Sequence, residues 1–307
     1  MASDSRRYAL IDTDPGIDDA LALLLAWSSP EWTVEVVTTV AGNVAMETGT
    51  RNVFRLLDLR RPMPAPLVAS GAASPLARPL RVAPYHGDDG LGDLPDWPTV
   101  ETRVDSADAA GVIVESARRR TQALTIVALG PLTNLALAVE RDAPAVRGVA
   151  RVVAMGGAID VPGNVTPDAE FNAHVDPDAL ARVLEAGIWL DLVPLDATRQ
   201  ALLDRAALDA MVRRAPGAAA ERIRRVTDFA LRKDETHGRG GMSLHDPLAV
   251  GVALDPTLVQ WESIHLVVGP DGETRRGAGP PNARFARLVD TPRFLKLFLE
   301  RVCPACW

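Results

Sequence analysis

The chain has 307 residues and a mass of 32.8 kDa, with 47% hydrophobic and 24% charged residues. That balance supplies a large core and excludes a disordered or collagen-like chain. A net charge of −7 argues against a nucleic-acid partner, and the longest apolar run, Ala20–Trp27, is far short of the roughly 18 residues that span a membrane.

The first apolar run, Tyr8–Asp12, reads as a strand, and no apolar signal segment precedes it, so the cytoplasm is the expected compartment. Asp18–Trp27 has the three-and-four spacing of a helix. Val34–Val40 is continuous and β-branched, as in a strand buried on both faces. Arg60–Pro98 is rich in Pro and Gly, reads as irregular, and contains the acidic segment Tyr85–Asp93. Further strands are expected over Leu124–Leu129, Val149–Met155 and Leu190–Leu195. Helices are expected over Asp105–Arg119, Leu132–Glu140, Pro177–Ala186, Leu202–Arg214 and Ala218–Arg232. Lys233–Ser243 has the composition of a mobile loop beside a site. His265–Val268 and Glu273–Arg276 flank the turn Gly269-Pro270-Asp271-Gly272, a C-terminal β-hairpin.

Strands alternating with helices imply right-handed βαβ units and a mainly parallel central sheet flanked by helices, a Rossmann-like α/β architecture. No repeat and no linker composition divides the chain, so one domain over 1–307 is expected. Cys303 and Cys306 lie at the extreme C-terminus. Their spacing is that of a redox pair, but no second Cys or His pair accompanies them, and they receive no function.

The most informative segment is Asp12-Thr13-Asp14-Pro15-Gly16-Ile17-Asp18-Asp19, which crowds four carboxylates where a buried strand turns into a helix. Two unit charges about 4 Å apart repel by about 1 kcal/mol in water and about 4 kcal/mol at an effective dielectric near 20. Helix capping accounts for one or two of these aspartates. Four call for a cation, and all-oxygen ligation suits calcium or magnesium rather than zinc. Loop positions five, six and twelve, counted from Asp12, are Gly16, Ile17 and Leu23, which excludes an EF-hand.

This segment resembles the N-terminal signature of the nucleoside hydrolases, the inosine-uridine-preferring nucleoside N-ribohydrolase family. Further resemblances follow in the family's order: Thr39–Val44, His86–Gly92, Ala128–Asn134, Met155-Gly156-Gly157, Gly163-Asn164-Val165, Ala169–Asn172, Pro194–Asp196 and His245–Val250. The resemblance implies the nucleoside hydrolase fold and a Ca²⁺-dependent enzyme that cleaves the N-glycosidic bond of a small-molecule nucleoside. It implies calcium ligation by Asp12, Asp19 and Asp246 through carboxylates and by Leu129 through its carbonyl. Asp18, Asn43, Asn164, Glu170 and Asn172 would hydrogen-bond the ribose, and Met155 would wall the sugar. Asp14 receives no ligand role. A homodimer or homotetramer is implied as well.

Bond cleavage at C1′ develops an oxocarbenium-like charge, which a carboxylate-rich site stabilises in the transition state. Asp12 is the expected base for the attacking water. His245, directly before a proposed ligand, or His86 is the expected acid for the leaving base. His174 reads as a residue supporting the site or the fold, His237 and His265 as surface residues, Asp88 and Asp89 as a solvated loop, and Asp196 as structural. Two other readings stand beside this one. Asp12-Thr13-Asp14 mimics the opening of a haloacid dehalogenase-type phosphatase, though Gly16 departs from its pattern and its downstream Lys and acidic pair are missing. A non-catalytic nucleoside-binding protein on the same fold is the other.

Overall fold

The computed structural model describes residues 7–214, 216–236, 238 and 240–302. The first half comprises β1 (Arg7–Thr13), α1 (Ile17–Trp27), β2 (Trp32–Thr39), α2 (Met46–Arg60), β3 (Leu67–Ser70), α3 (Ala109–Arg120), β4 (Leu124–Ala128), α4 (Thr133–Arg147) and β5 (Arg151–Met155). It continues with α5 (Phe171–Val175), α6 (Pro177–Glu185), β6 (Leu190–Val193), α7 (Leu195–Thr198), β7 (Leu202–Leu203), α8 (Arg205–Arg214), α9 (Ala218–Thr236) and β8 (Met242–Ser243). The chain closes with α10 (His245–Leu254), β9 (Val259–Ile264), β10 (Leu266–Val268), β11 (Thr274–Arg276), β12 (Ala283–Val289) and α11 (Thr291–Arg301).

Eight strands form one sheet in the order β3-β2-β1-β4-β5-β6-β12-β9. All neighbours are parallel except β9, which runs antiparallel to β12 at one edge. Strand order reverses between β1 and β4, and open α/β sheets bind ligands at the carboxyl ends of the strands at such a point. The strands are buried on both faces by alternation: Ala9 and Ile11 face the layer that includes α1 and α10, and Leu10 faces the layer with α3, α4 and α6. The expected hairpin is β10–β11, paired Leu266 to Arg276.

Side-chain caps set several helix starts that apolar periodicity places elsewhere. α3 begins at Ala109 rather than Asp105, because Asp108 accepts from the Gly111 N–H at 3.1 Å while Asp105 accepts from Val68 N–H at 2.9 Å. The helix expected over Leu202–Arg214 is divided. Leu202–Leu203 pairs with Met242–Ser243, and Asp204 opens α8 by accepting from Ala207 N–H at 2.7 Å. Lys233–Thr236, expected as loop, is the last turn of α9. Helix α4 continues past Glu140 to Arg147 through a break at Asp142.

Helix α10 is buried along nearly its whole length and is tied down at its far end. Arg7 of β1 donates to the carbonyls of Ala253 (2.8 Å) and Leu254 (3.2 Å), and Arg151 of β5 donates to those of Val252 (3.3 Å) and Ala253 (3.4 Å). These bonds satisfy carbonyls that a helix end leaves open.

Candidate functional site

The carboxyl ends of β1, β2, β4 and β5 converge with the starts of α5 and α10 on a cleft of about 490 Å³. Asp18, Asn43, Leu129, Met155 and Asn172 line its floor and one side, and His86 and His245 line it as well. Among the described residues, Asp18, Asp19 and Asp246 each offer a carboxylate oxygen within 4.8 Å of the other two. All three are buried.

Asp19 is held at the turn into α1. It accepts from the Thr13 hydroxyl, from Gly16 N–H at 2.9 Å and from the Asn43 side-chain amide at 3.0 Å. Asp14 stands beside the triangle: its Oδ2 accepts from Asn43 N–H at 2.6 Å, and its Oδ1 is buried with no hydrogen-bond partner. The carboxylate is gripped by two glycines. A Cβ on Gly42 would lie 2.0 Å from Asp14 Oδ2, and one on Gly130 would lie 2.6 Å from Oδ1. Asp18 Oδ1 is also buried and unpartnered.

The electrostatics follow from this crowding. Burial, then the Asp19 charge, raises Asp18 from the ordinary 3.8 to about 8. Burial and Asp19 likewise push Asp14 well above its usual range, and burial and Asp18 do the same to Asp246. Without a cation, burial and mutual repulsion favour the protonated form of these carboxyls. Buried carboxylate oxygens at this spacing, with Asp18 Oδ1 and Asp14 Oδ1 unpartnered, fit a hard divalent cation.

Asp12 is placed differently from the expected ligand and base. It belongs to β1, and its Oδ1 accepts from the Thr38 hydroxyl at 2.5 Å and the Asn134 amide at 2.7 Å. Its Oδ2 is buried and unpartnered, burial raises its pKa to about 6 against those two donors, and it lies outside the triangle. The carboxylate that faces Asp18 and Asp19 is Asp14, which carried no role in the sequence reading. The motif spacing could not reveal which strand-end aspartate turns toward the loop.

Three of the five expected ribose contacts, Asn164, Glu170 and Asn172, lie together at the start of α5. Glu170 caps α5, accepting from Asn172 N–H (2.9 Å), Gly157 N–H (2.9 Å) and Ala173 N–H (3.1 Å), and burial raises its pKa. Asn172 donates to the carbonyls of Leu129 (2.6 Å) and Met155 (3.2 Å). Asn164 accepts from Phe171 N–H at 2.9 Å. Gly156 and Gly157 both have positive φ, which lets the chain turn from β5 toward Glu170.

The two histidines differ. His86 is buried on the N-terminus of α1, where its Nδ1 accepts from Ile17 N–H at 3.1 Å and its Nε2 stands 3.9 Å from Asp18 Oδ1. Burial lowers its pKa to about 4, so it is neutral at pH 7 with its proton toward Asp18. His245 opens α10, is half-buried, and shares a 2.7 Å hydrogen bond with the Thr198 hydroxyl through Nδ1.

Elsewhere, His174 lines the cleft and its Nδ1 bonds the Asp271 carbonyl at 2.7 Å. Asp196 accepts from Ile159 and Asp160 N–H, a structural role as expected. His237, Cys303 and Cys306 lie outside the described residues.

The profile of the inosine-uridine preferring nucleoside hydrolases matches residues 9–296. The pyrimidine-specific ribonucleoside hydrolase RihA of Salmonella typhimurium is 37% identical, covering 95% of this chain and 97% of its own. Among solved structures, a purine-preferring ribonucleoside hydrolase from Gardnerella vaginalis superposes with a TM-score of 0.92 at 33% identity, covering 98% of this chain and 99% of its own. A plant nucleoside hydrolase superposes with a TM-score of 0.88 at 32% identity, over 97% and 99%.

Proposed function

This chain belongs to the inosine-uridine preferring nucleoside hydrolase family and is a ribonucleoside hydrolase, and from that premise we propose that it is calcium-dependent, with Asp14 as its base and His245 as its acid. Family membership sets aside the phosphatase and the purely binding readings. The observation that carries the metal assignment is the buried triangle of Asp18, Asp19 and Asp246, with the unpartnered Oδ1 of Asp14 beside it.

Asp18, Asp19 and Asp246 would hold the cation, with the Leu129 carbonyl available at the cleft floor. When bound, calcium neutralises the carboxylates and gives oxygen ligands a Lewis-acidic anchor. The remaining chemistry belongs to side chains. Asp18, Asn43, Asn164, Glu170 and Asn172 fix the ribose through its hydroxyls, and Met155 forms the apolar floor beneath it. Asp14 Oδ1, buried and without a hydrogen-bond partner, takes the proton of the attacking water.

As the glycosidic bond stretches, positive charge grows on the sugar, and the carboxylates around it stabilise that charge more than the neutral ground state. His245 delivers a proton to the departing nucleobase from the cleft's other side, steadied by Thr198. The test is a panel of purine and pyrimidine ribonucleosides assayed for free ribose in chelator, calcium or magnesium. Ribose release that requires calcium is expected. Equal release in chelator refutes the metal assignment.

A further inference from the structure

Helix α9 grips the loop between Pro84 and Trp97 along one face. Arg222 and Arg225 donate to the Asp96 carbonyl (3.0 Å) and carboxylate (2.7 Å). Phe229 packs against Gly92, where a Cβ would lie 3.0 Å from its own Cβ. One turn on, Lys233 Nζ donates to the carbonyls of Pro84 (2.7 Å) and Tyr85 (2.9 Å). Steps of three and four residues keep these four on one side of the helix. The next residue, Asp234, is buried and accepts from the Tyr85 hydroxyl at 2.7 Å. Consecutive residues of α9 thus hold Tyr85 by its backbone and by the tip of its ring.

Tyr85 in turn meets His86 edge-on, with ring centroids 5.0 Å apart. His86 is seated on α1 beside Asp18. Tyr85, His86 and Asp234 all line the cleft.

We infer that Lys233 and Asp234 are positioning residues: by clamping Tyr85 they keep His86 seated and hold the cleft wall in its binding-competent form. The physical basis is that the clamp acts on Tyr85 itself, next to His86, while the neighbouring ties act on other residues: Ala83 N–H to the Asn43 carbonyl at 3.2 Å and Gly92 N–H to the His86 carbonyl at 2.9 Å. A loop released from the clamp must be reordered by each arriving ligand, and that cost falls on binding rather than on the bond-breaking step. The kinetic arm of this inference rests on the ribonucleoside reading above; the exchange arm does not.

The experiment compares the full-length protein with Y85F, D234A, D234N and the Y85F/D234A pair. Y85F and D234A are each expected to raise KM for the best nucleoside about tenfold, with kcat within twofold. The double variant should be no worse than either single one, as for partners in one bond. D234N, whose amide oxygen still accepts from the phenol, should recover most of the loss.

In the unliganded protein, amide hydrogen exchange at 83–87 is expected to rise about tenfold in Y85F and D234A and to stay unchanged in the central sheet. Unchanged exchange in both variants overturns the clamp, whether or not any nucleoside is hydrolysed. Additive effects in the double variant overturn it as well. So does a D234A protein whose nucleobase preference changes while that of Y85F does not, since Asp234 would then touch the base itself.

Discussion

Removing the cation should make stability fall as pH rises, and the structure sets the scale. Asp18 titrates near 8 in the folded protein and at the ordinary 3.8 when unfolded. Between those values the folded state holds a proton that the unfolded chain has lost, so folding takes up a proton and raising the pH opposes it. At pH 7 this costs on the order of 4 kcal/mol relative to pH 4, at about 1.36 kcal/mol per pH unit. Asp14 and Asp246 shift in the same direction and add to the effect.

An unfolding entropy of about 2.1 cal/mol/K per residue over 307 residues converts 4 kcal/mol into a Tm lower by about 6 °C. The assay is thermal unfolding from pH 5 to 8 in chelator and in excess calcium. In chelator, Tm should drop across that range. Calcium at about 100 times its Kd should restore about 2.7 kcal/mol and flatten the profile. D18N, which removes one of the raised carboxyls and leaves Asp14 and Asp246, should lessen the drop in chelator while losing turnover. A Tm that stays level or climbs toward pH 8 in chelator refutes the electrostatic account of the cluster.

The remaining expectations concern single side chains. D14N should lower kcat by about 10²–10⁴ with the fold intact. D12N keeps the Thr38 and Asn134 bonds through its amide oxygen and should lose less than about tenfold; matching losses would return the base assignment to Asp12. H245A should slow inosine and uridine more than a riboside with an activated leaving group, and equal losses on both would remove it as the acid. G130A, whose Cβ would press 2.6 Å from Asp14 Oδ1, should displace the base and lower kcat about tenfold or more. An unaltered kcat would show that Asp14 tolerates displacement.

Much of the sheet was legible because its strands are continuous apolar runs and its helices carry one apolar stripe. Where that signal failed, the reason is physical. Helix α10 is buried along nearly all of its length, so its apolar residues show no stripe, and His245–Val250 read only as a motif. β3 has four residues inside a Pro-rich stretch, and α2 was hidden by its mixed, half-exposed sequence.

In the site, Asp18, Asn43, Glu170, Asn172 and Asp246, all named from motifs, line one cleft, with Asp19 beside Asp18 and Asp246. The different surroundings of Asp12 and Asp14 depend on which way each side chain turns at the end of β1. Thr38 and Asn134, contributed from 26 and 122 residues away, hold Asp12 Oδ1, and no local pattern shows this. The bond from Tyr85 to Asp234 crosses 149 residues and has no local signature at all.

The arginines at the end of α10 give that helix the mechanics of a lever. Ten residues make a stiff rod about 15 Å long, with Asp246 in its first turn and its last carbonyls pinned to β1 and β5. A shift at the pinned end has no loop in which to dissipate, so it arrives at the acidic triangle as a translation. If the triangle holds a cation as proposed, its affinity would depend on Arg7 and Arg151, which bond the far end of the helix that carries Asp246.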